Sequence, residues 1–397
     1  MNVKKRKTLF ITGGTGFVGP NLVRGLLYKG YTIYLLVREK KSTTPIKRVH
    51  FSLDGLIPGN RRNLYSNIHY VIGDITYDNL GISDEQTRGL KGKIDEIWHC
   101  SALVVFNEHM REELHNINLS GTERIIEFAN KINCKNINYV GTAFVAGNYA
   151  GQFKESDLSL NQGFNNPYEE SKFKTELFLK EIIAKGKMNI TIFRPSIVVD
   201  YDRKRAMTST IGYYGMLKAL LILKNYCINL IKVNNTKAKE SGIEMDCKGN
   251  VTIPMTIPGI SNGILNFVST DFVIETMLAV EQDQENYNKV YHLTNPIDIN
   301  MRDLSKFTTQ GLNINNTTIG ERDINSKLTR IEKFFFNKTK VYLPYFTFKA
   351  TFDRYNTEKI LSKYSVADCP PFDRKAIDKI CRDFTQSLDY GSVESND

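Results

Sequence analysis

The chain has 397 residues, of which 41% are hydrophobic and 24% charged, and its formal net charge is +10. This composition is that of a globular protein with a sizeable core in two or three units. The six cysteines include no C-x-x-C pair, which disfavours a disulfide framework or structural zinc site and favours a reducing, cytoplasmic location. The sequence shows no basic stripe interleaved with aromatic residues, so we expect anionic small ligands or an acidic protein partner and no nucleic acid.

The first predicted elements are a strand over Thr8–Thr12 and a helix over Leu22–Tyr28, joined by a glycine-rich turn. The turn reads Thr-Gly-Gly-Thr-Gly-Phe-Val-Gly over residues 12–19. Taken alone, three glycines are also compatible with a purely structural turn. Between a strand and a helix they are typical of the loop that cradles a dinucleotide pyrophosphate. We predict cofactor contacts from Gly13, Thr15, Gly16, Phe17, Val18 and Gly19.

The second predicted strand, Thr32–Val37, is followed directly by Arg38. In dinucleotide-binding folds the residue at this strand end lies beside the adenosine ribose, where an acidic side chain favours NAD and an arginine accommodates the 2′-phosphate of NADP. Arg38 therefore predicts NADPH as the cofactor, with NAD less favoured. The neighbouring Glu39 argues in the opposite direction, and an arginine at a strand end can also be a plain surface residue.

Later strands and helices alternate along the first half of the chain. The strands are predicted over Ile68–Ile72, Glu96–Cys100, Ile137–Val140 and Ile190–Phe193, and the helices over Asn118–Lys131 and Tyr168–Lys185. Apolar strands alternating with helices predict a parallel sheet covered on both faces, with right-handed crossovers. We therefore predict an α/β doubly wound (Rossmann) domain over residues 1–199, joined by strands returning from about 260–295. A smaller, mainly substrate-binding α+β part is predicted over 200–397.

Three further segments attract attention by composition. The apolar segment Met216–Ile231 is interrupted by lysines and is too short to span a bilayer, so no transmembrane segment is expected. We predict an amphipathic helix over a substrate pocket there, with a membrane-surface helix as the alternative. The polar segment 234–250 is predicted to be a mobile loop, and Lys4–Lys7 to be an exposed basic arm.

Two residues four apart on one predicted helix, Tyr168 and Lys172, share a face of that helix. A tyrosine with its ordinary pKa of about 10 exchanges protons poorly near neutral pH. A nearby lysine cation favours the phenolate, and the same lysine can reach the nicotinamide ribose. Thr142 follows a predicted strand and is able to hydrogen-bond and polarise a substrate carbonyl. Each residue alone has a structural explanation, but downstream of a dinucleotide motif we predict catalysis.

Further motifs accompany the glycine turn and the Tyr168/Lys172 pair. They are Gly73-Asp74-Ile75, His99-Cys100-Ser101-Ala102, Asn118-Leu119-Ser120-Gly121-Thr122 and Phe193-Arg194-Pro195-Ser196. Together these motifs resemble the extended short-chain dehydrogenase/reductases. The resemblance implies a catalytic triad of Thr142, Tyr168 and Lys172, with Lys172 also binding the cofactor. It further implies that Asp74 and Ile75 flank the adenine, that Ala102 lines the cofactor groove, and that Pro195 and Ser196 lie near the nicotinamide.

Three stretches narrow the resemblance. They are Gly73–Thr76 with Leu80–Ser83, Trp98–Phe106, and Gly141–Gly147. The chain resembles thioester reductases and fatty acyl-CoA reductases in these stretches, although Gly141 replaces a serine and Cys100-Ser101-Ala102 replaces a more usual Asn-Ala-Ala. The resemblance implies an NADPH-dependent reduction of an acyl thioester, carried by coenzyme A or an acidic carrier protein, to an aldehyde or alcohol, or of a related carbonyl.

Two alternatives stay open. The first is an NAD-dependent nucleotide-sugar epimerase or dehydratase, against which Arg38 and the Phe144–Gly147 stretch argue. The second is a non-catalytic dinucleotide-binding interaction protein, against which the presence of both Tyr168 and Lys172 argues. No metal is predicted, because the six histidines lack ligand spacing such as H-x-x-x-H, and His99 is expected to pack or hydrogen-bond.

Overall fold

The computed structural model describes residues 6–40, 43–200, 212–321 and 327–391. Its strands are β1 (Thr8–Thr12), β2 (Thr32–Val37), β3 (Ile68–Ile72), β4 (Glu96–His99), β5 (Asn136–Val140), β6 (Gln152–Phe153), β7 (Asn189–Pro195), β8 (Ile197–Val199), β9 (Glu244–Met245), β10 (Val251–Pro258), β11 (Ile264–Leu265), β12 (Phe267–Ser269), β13 (Val290–Leu293), β14 (Ile299–Asn300), β15 (Ile314–Gly320) and β16 (Thr351–Phe352). Its helices are α1 (Gly19–Tyr28), α2 (Pro45–Leu53), α3 (Asp84–Leu90), α4 (Arg111–Leu114), α5 (Gly121–Lys131), α6 (Pro167–Ala184), α7 (Tyr213–Val233), α8 (Asn235–Glu240), α9 (Thr270–Val280), α10 (Met301–Gly311), α11 (Arg330–Thr339), α12 (Tyr355–Tyr364) and α13 (Arg374–Gly391).

A seven-stranded sheet in the order β3-β2-β1-β4-β5-β7-β13 forms the centre of the molecule, and all its strand pairs are parallel. Strand β1 is buried over four of its five residues, as expected for a strand covered on both faces. The strand order reverses between β1 and β4, which is the point where doubly wound sheets bind ligands. The predicted α/β doubly wound fold is therefore confirmed.

Helices cover both faces of this sheet. Leu22 of α1, Val49 of α2 and Phe272 of α9 belong to one buried cluster, whereas Ile125 of α5 and Leu179 of α6 belong to the cluster on the opposite face. The apolar residues of these helices recur at helical spacing, so each helix buries one stripe against the sheet. This packing fixes α1 and α6 relative to the carboxyl ends of the strands.

A third buried cluster is formed largely by residues that follow position 212. It includes Leu217 of α7, Ile253 of β10, Leu304 of α10, Phe335 of α11 and Phe384 of α13. β10 and β15 pair in parallel within it, while β12 pairs with β8 and β13 with β7. We retain the division at residue 199 as a proposal, with this cluster as the core of the second part.

The predicted strands β1, β2 and β3 agree with the structure to the residue, and β4, β5 and β7 agree within two residues. The prediction of a mobile loop over 234–250 is wrong, because that segment contains α8 and β9, and β9 pairs with β10. The side chain of Asn234 caps α8 by accepting from Lys237 N, so the polar residues there are capping and turn residues.

The prediction of an exposed basic arm is wrong for Lys7, whereas Lys4 and Lys5 lie outside the described residues. Lys7 Nζ lies 2.5 Å from Glu96 Oε1 and also pairs with Glu281. Both glutamates are 1% exposed in their side chains, and buried carboxylates require a cation partner. Lys7 therefore ties β1 to β4 and to the end of α9.

Candidate active site

A cavity of about 630 Å³ lies at the carboxyl ends of β1, β4, β5 and β7. This is the crevice in which doubly wound sheets bind their ligands. Twelve of the residues predicted from the sequence line it: Gly13, Thr15, Gly16, Phe17, Val18, Gly19, Ala102, Thr142, Tyr168, Lys172, Pro195 and Ser196. The cavity therefore brings the glycine turn and the predicted catalytic trio together, although they are separated by more than 100 residues in the chain.

The glycine turn has a backbone that excludes side chains. Gly13 has φ +74°, and a Cβ there would lie 2.6 Å from the carbonyl carbon of Cys100. A Cβ on Gly19 would lie 2.1 Å from Gly13 O. The helix α1 begins at this turn with Val18 as its N-cap, which supplies no capping side chain. Apart from Pro20, which has no N–H, its first backbone N–H groups are therefore available to an anion, and the turn fits a pyrophosphate.

Ser196 supplies a second observation that fits a bound ligand. Its side chain is 6% exposed, it lines the cavity, and its Oγ has no hydrogen-bond partner among the described residues. A buried hydroxyl without a partner is costly. The hydroxyl is therefore suited to bind a polar group of a ligand in the cavity.

The three remaining predicted cofactor residues, Arg38, Asp74 and Ile75, do not line the cavity. Arg38 follows β2, and its Nη1 lies 3.8 Å from Asp74 Oδ2. Ile75 is 5% exposed and packs against Gly121. A Cβ added to Gly121 would lie only 2.9 Å from Ile75 Cδ1. Ile75 therefore supports the start of α5, and its contact with an adenine stays a prediction.

Arg48 in α2 is a candidate binding residue that the sequence analysis missed. It donates from Nη1 to Arg38 O at 2.6 Å and from Nη2 to Thr15 Oγ1 at 3.4 Å. Partial burial and the neighbouring Arg38 charge lower its pKa. The Arg48 guanidinium beside Thr15, with the Arg38 charge nearby, suits a phosphate group. The available signal was an arginine near the start of a helix, whose N-cap Thr44 accepts from Lys47 N.

The helix α6 positions Tyr168 and Lys172. It begins after Asn166, whose side chain accepts from Glu169 N, and it has Pro167 in its first turn. Lys172 is 2% exposed and donates from Nζ to Val140 O at 2.8 Å and to Tyr139 OH at 3.0 Å. These two acceptors lie on β5, so the lysine is held against the strand that ends beside the cavity.

Thr142 Oγ1 donates to Pro195 O at 3.5 Å, and its hydroxyl lies near that of Tyr168. Burial raises the pKa of Tyr168 above its ordinary value, and the Thr142 hydroxyl opposes this shift. Burial lowers the pKa of Lys172 to about 8, against the opposing charge of Glu176. Tyr168 is therefore a phenol near neutral pH, in the form that can donate a proton.

A buried ion pair between Arg194 and Glu176 lies near Lys172, and the charge of Glu176 acts on that lysine. Arg194 Nη2 lies 2.7 Å from Glu176 Oε2, and both side chains are fully buried. The other oxygen, Glu176 Oε1, has no partner among the described residues, and a Cβ on Gly141 would lie 2.6 Å from it. Gly141, which replaces the serine of the resembling reductases, therefore leaves the room that this carboxylate occupies.

Asn118 is a second residue to which the sequence analysis assigned no role, although it belongs to a quoted motif. It lies in a π-helical turn, His115–Ser120, between α4 and α5, and such turns often occur at functional sites. Its amide accepts from Leu103 N at 2.8 Å and donates to Leu103 O at 3.0 Å and to Ser171 Oγ at 2.9 Å. Asn118 therefore joins the cavity wall at Leu103 to α6.

His99 is a structural residue, as its position predicts. Its Nδ1 lies 2.7 Å from Thr12 Oγ1 and its Nε2 lies 3.0 Å from Thr122 Oγ1, and burial lowers its pKa to about 3. Within the described ranges no group of three or more metal-ligating side chains occurs. No helix in these ranges has the length and apolar character needed to cross a bilayer.

One wall of the cavity is largely apolar. α7 contributes Met216 and Leu220, α10 contributes Met301 and Leu304, and the segment after α11 contributes Phe346. The predicted amphipathic helix thus lies at the cavity as α7, two to three residues longer at its ends than expected. Such a wall suits an apolar group of a ligand.

Fold and site together define the class of this protein. The parallel sheet with its reversal, the glycine turn and the Tyr168/Lys172 helix are those of the extended short-chain dehydrogenase/reductases, a class of NAD(P)-dependent oxidoreductases. Within this class, the chain belongs to the Male sterility protein family, whose NAD-binding model matches residues 11–277.

Individual relatives are similar in sequence to part of this chain, and solved structures are similar to it in fold. It is 29% identical to the fatty acyl-CoA reductase wat of Drosophila melanogaster over 243 residues, which is 53% of this chain and 46% of that one. The chain thus spans less than half the length of that relative. The solved terminal R domain of the myxalamid biosynthetic pathway is 22% identical, with a TM-score of 0.74 over 96% of this chain and 90% of that one. The dTDP-glucose 4,6-dehydratase DesIV from Streptomyces venezuelae, solved with NAD and TYD bound, is 17% identical, with a TM-score of 0.63 over 96% and 98%.

Proposed function

We propose that this protein is an NADPH-dependent reductase of acyl thioesters, carried by coenzyme A or an acidic carrier protein, that forms an aldehyde or an alcohol. The observation that carries the proposal is the convergence of Thr142, Tyr168 and Lys172 in one cavity that is also lined by the glycine turn and by an apolar wall. The partial match to a fatty acyl-CoA reductase supports the choice of substrate class.

The residues of this chain have separate tasks in such a reaction. A nicotinamide bound in the cavity supplies a hydride to the carbonyl carbon. Thr142 hydrogen-bonds the carbonyl oxygen, where negative charge develops. Tyr168 then transfers its phenolic proton to that oxygen. With a thioester, the resulting hemithioacetal loses a thiol and leaves an aldehyde, and a second round at the same residues gives an alcohol.

Lys172 has a positioning and electrostatic task. Its ammonium is held by Val140 O and Tyr139 OH, one helical turn from Tyr168. A cation at this position favours the phenolate that remains after proton transfer. We also assign to it a hydrogen bond to the ribose of a bound dinucleotide, and its place in the cavity lining supports this role. Its lowered pKa of about 8 keeps it mainly charged at neutral pH.

The choice of NADPH over NADH rests on Arg38 and Arg48. Arg48 donates to both Arg38 O and Thr15 Oγ1, so its guanidinium lies at the edge of the glycine turn, and the charge of Arg38 is near enough to lower the pKa of Arg48. An arginine beside the adenosine ribose accommodates a 2′-phosphate. The proposal includes a cytoplasmic location, which six cysteines without disulfide partners favour.

The test is consumption of NADPH by the purified protein with acyl-coenzyme A esters, acyl carrier-protein thioesters, fatty aldehydes and nucleotide sugars. We expect oxidation of NADPH with thioesters of apolar acyl groups. Turnover of a nucleotide sugar with retained NAD, and none with any thioester, would establish the epimerase/dehydratase alternative. Binding of NADPH without turnover of any of these substrates would support the non-catalytic alternative.

A further inference from the structure

The positive charge of the chain is concentrated on two segments beside the cavity. Helix α7 carries three lysines and no carboxylate, a charge of +3, and residues 330–349 carry five cations and one carboxylate, a charge of +4. Together the two segments hold +7 of the formal net charge of +10. The one carboxylate, Glu332, is 4% exposed and belongs to the capping box of α11. The exposed part of these segments therefore carries cations without a compensating carboxylate.

The exposed positions of both helices recur at helical spacing, so each helix presents one polar stripe to solvent. On α7 the stripe consists of Lys218, Ile222, Asn225, Asn229 and Lys232. On α11 the exposed residues are Arg330, Lys333, Asn337 and Lys338, and the exposed Lys340 follows the helix. We call the six cations of these stripes the cationic surface: Lys218, Lys232, Arg330, Lys333, Lys338 and Lys340.

An aromatic contact joins the two helices. The ring centroids of Tyr226 in α7 and Phe334 in α11 lie 5.0 Å apart, and the rings are nearly parallel, with an interplanar angle of 17°. Lys338 Nζ lies 5.8 Å from the centroid of the Phe334 ring. Lys338 is therefore close to the contact between the helices, and the cations of α7 and α11 belong to one surface of the protein.

The cationic surface adjoins the cavity. In α7, Met216 and Leu220 line the cavity, and the exposed Lys218 lies between them in the chain. Tyr342, two residues after Lys340, also lines the cavity and is partly exposed. The same two segments thus form part of the cavity wall and the cationic surface outside it.

The fold makes no visible use of these cations. Exposed lysines elsewhere pair with carboxylates on their own helix, as Lys174 does with Glu170 and Lys379 with Asp383. Within the ranges that the structure describes, no member of the cationic surface forms an ion pair. Like charges held together without partners repel one another and do not stabilise the fold, whereas they attract an acidic partner.

The cationic surface fits an acidic protein better than a lipid bilayer. The apolar side of α7, with Leu217, Leu223 and Cys227, is buried in the core of the second part of the chain. Only Ile222 and, at the helix end, Val233 are exposed apolar residues of α7. A helix that lies in a membrane interface instead presents a broad apolar face to the lipid.

The extent of the surface also favours a protein over a small molecule. Lys218 and Lys232 are 14 residues apart on one helix, which is about 21 Å at 1.5 Å per residue. Further cations lie on α11 beside this helix. A span of this size suits the face of a protein more than the phosphates of one coenzyme A.

We propose that the cationic surface docks an acidic carrier protein, whose thioester-bearing arm enters the cavity beside it. The inference rests on the proposed function, and it selects a carrier protein rather than coenzyme A as the source of the acyl group. Complementary charge of this kind acts mainly on the rate of association and on its dependence on salt.

The first experiment measures binding without turnover. The probe is a fluorescently labelled, acidic acyl carrier protein of fatty acid synthesis with its phosphopantetheine arm attached. The surface variant, Lys333→Glu with Lys338→Glu and Lys340→Glu, should raise the Kd by about tenfold or more. Raising the ionic strength from about 0.01 M to about 0.15 M should weaken binding by the wild type, because the Debye length falls from about 30 Å to about 8 Å.

A matched control variant combines Lys93→Glu, Lys135→Glu and Lys187→Glu. These lysines are exposed and lie within three residues of the starts of β4, β5 and β7, at the edge of the sheet opposite the cavity. The control has the same net charge as the surface variant. It should keep wild-type affinity at about 0.15 M ionic strength, where charges more than about 8 Å away are screened. Equal losses in both variants, or no binding of the carrier by the wild type, would overturn the inference.

The second experiment compares kcat/KM for one acyl group carried by the carrier protein and by coenzyme A. In the surface variant the ratio of the carrier value to the coenzyme A value should fall by about tenfold. Equal losses with both thioesters would assign the cations to the phosphates of coenzyme A and overturn the inference. Sedimentation of the wild type with phosphatidylserine and phosphatidylcholine vesicles, lost in the surface variant and without carrier binding, would overturn it in favour of a lipid surface.

Failure of the docking surface is distinguishable from failure of the proposed function. Turnover of acyl-coenzyme A without any binding of the carrier would refute the docking surface and leave the reductase intact. Absence of turnover with every thioester would refute the reductase, and the binding assay would still decide whether the cationic surface holds an acidic carrier.

Discussion

Replacing Arg48 with alanine should weaken the binding of NADPH and leave the binding of NADH nearly unchanged. Arg48 is partly buried in α2 and is anchored to Arg38 O and Thr15 Oγ1, so its guanidinium is preorganised at the edge of the glycine turn. A hydrogen bond to a charged group contributes about 1.5–3 kcal/mol. A central value of about 2 kcal/mol corresponds to about a 30-fold rise in the Kd for NADPH.

Arg38 should contribute less to the binding of NADPH, because its side chain is 56% exposed and already forms an ion pair with Asp74. Solvent screening at such a site reduces the gain to about 1 kcal/mol, or about fivefold in Kd. Fluorescence titration of both nicotinamide cofactors measures these constants directly. Lys47→Ala is the matched control, since it removes an exposed cation from the same helix and should change neither constant.

The comparison with NADH distinguishes loss of 2′-phosphate binding from a structural change in the glycine turn. Arg48→Ala also removes the contact with Thr15, and a collapsed glycine turn would weaken both cofactors equally. Equal losses for NADPH and NADH, or no loss for either, would refute the assignment of the two arginines to a 2′-phosphate.

Three further results are expected. Tyr168→Phe should lower kcat by about 100-fold or more, because the proton donor is lost, with unchanged NADPH affinity. As a control, replacement of the exposed Tyr355 by phenylalanine should leave the kinetics unchanged. Wild-type turnover in Tyr168→Phe would end the catalytic assignment. Gly141→Ala should lower the free energy of unfolding by about 1–3 kcal/mol, because its Cβ would lie 2.6 Å from a buried carboxylate oxygen. Gly89→Ala is the control: its Cβ would have no atom within 4 Å, so the free energy of unfolding should not fall. Chemical denaturation of both variants measures the difference. Burial lowers the folded-state pKa of Lys172 to about 8, against about 10.4 in an unfolded chain. The unfolded chain therefore binds more protons between these values, and stability should rise with pH across that window. Denaturant titrations of Lys172→Met should lack this rise, and an identical pH dependence in both proteins would contradict it.

Local patterns in the sequence determined the sheet strands, the glycine turn and the helix that carries Tyr168 and Lys172. These features are set by residues within one or two elements of each other. The spacing of four places two side chains on one helical face, and the turn must be glycine because a Cβ on Gly13 or Gly19 would collide with backbone. The reversal point of a doubly wound sheet then predicts which strand ends meet, and this is why Thr142 could be named in advance, whereas Ser196 was named from the family resemblance.

Other parts of the site are decided by contacts between distant segments, which no local pattern encodes. Arg48 reaches Thr15 across the first two strands, Asn118 holds the wall at Leu103, and Tyr345 meets Glu169 from 176 residues away. Each of these contacts uses a residue type that is ordinary at its own position, as Glu169 is in a first helical turn. Sequence spacing therefore determined the chemistry-bearing groups of this protein, while the tertiary fold alone decided which side chains surround them, because burial and charge depend on segments that become neighbours only after folding.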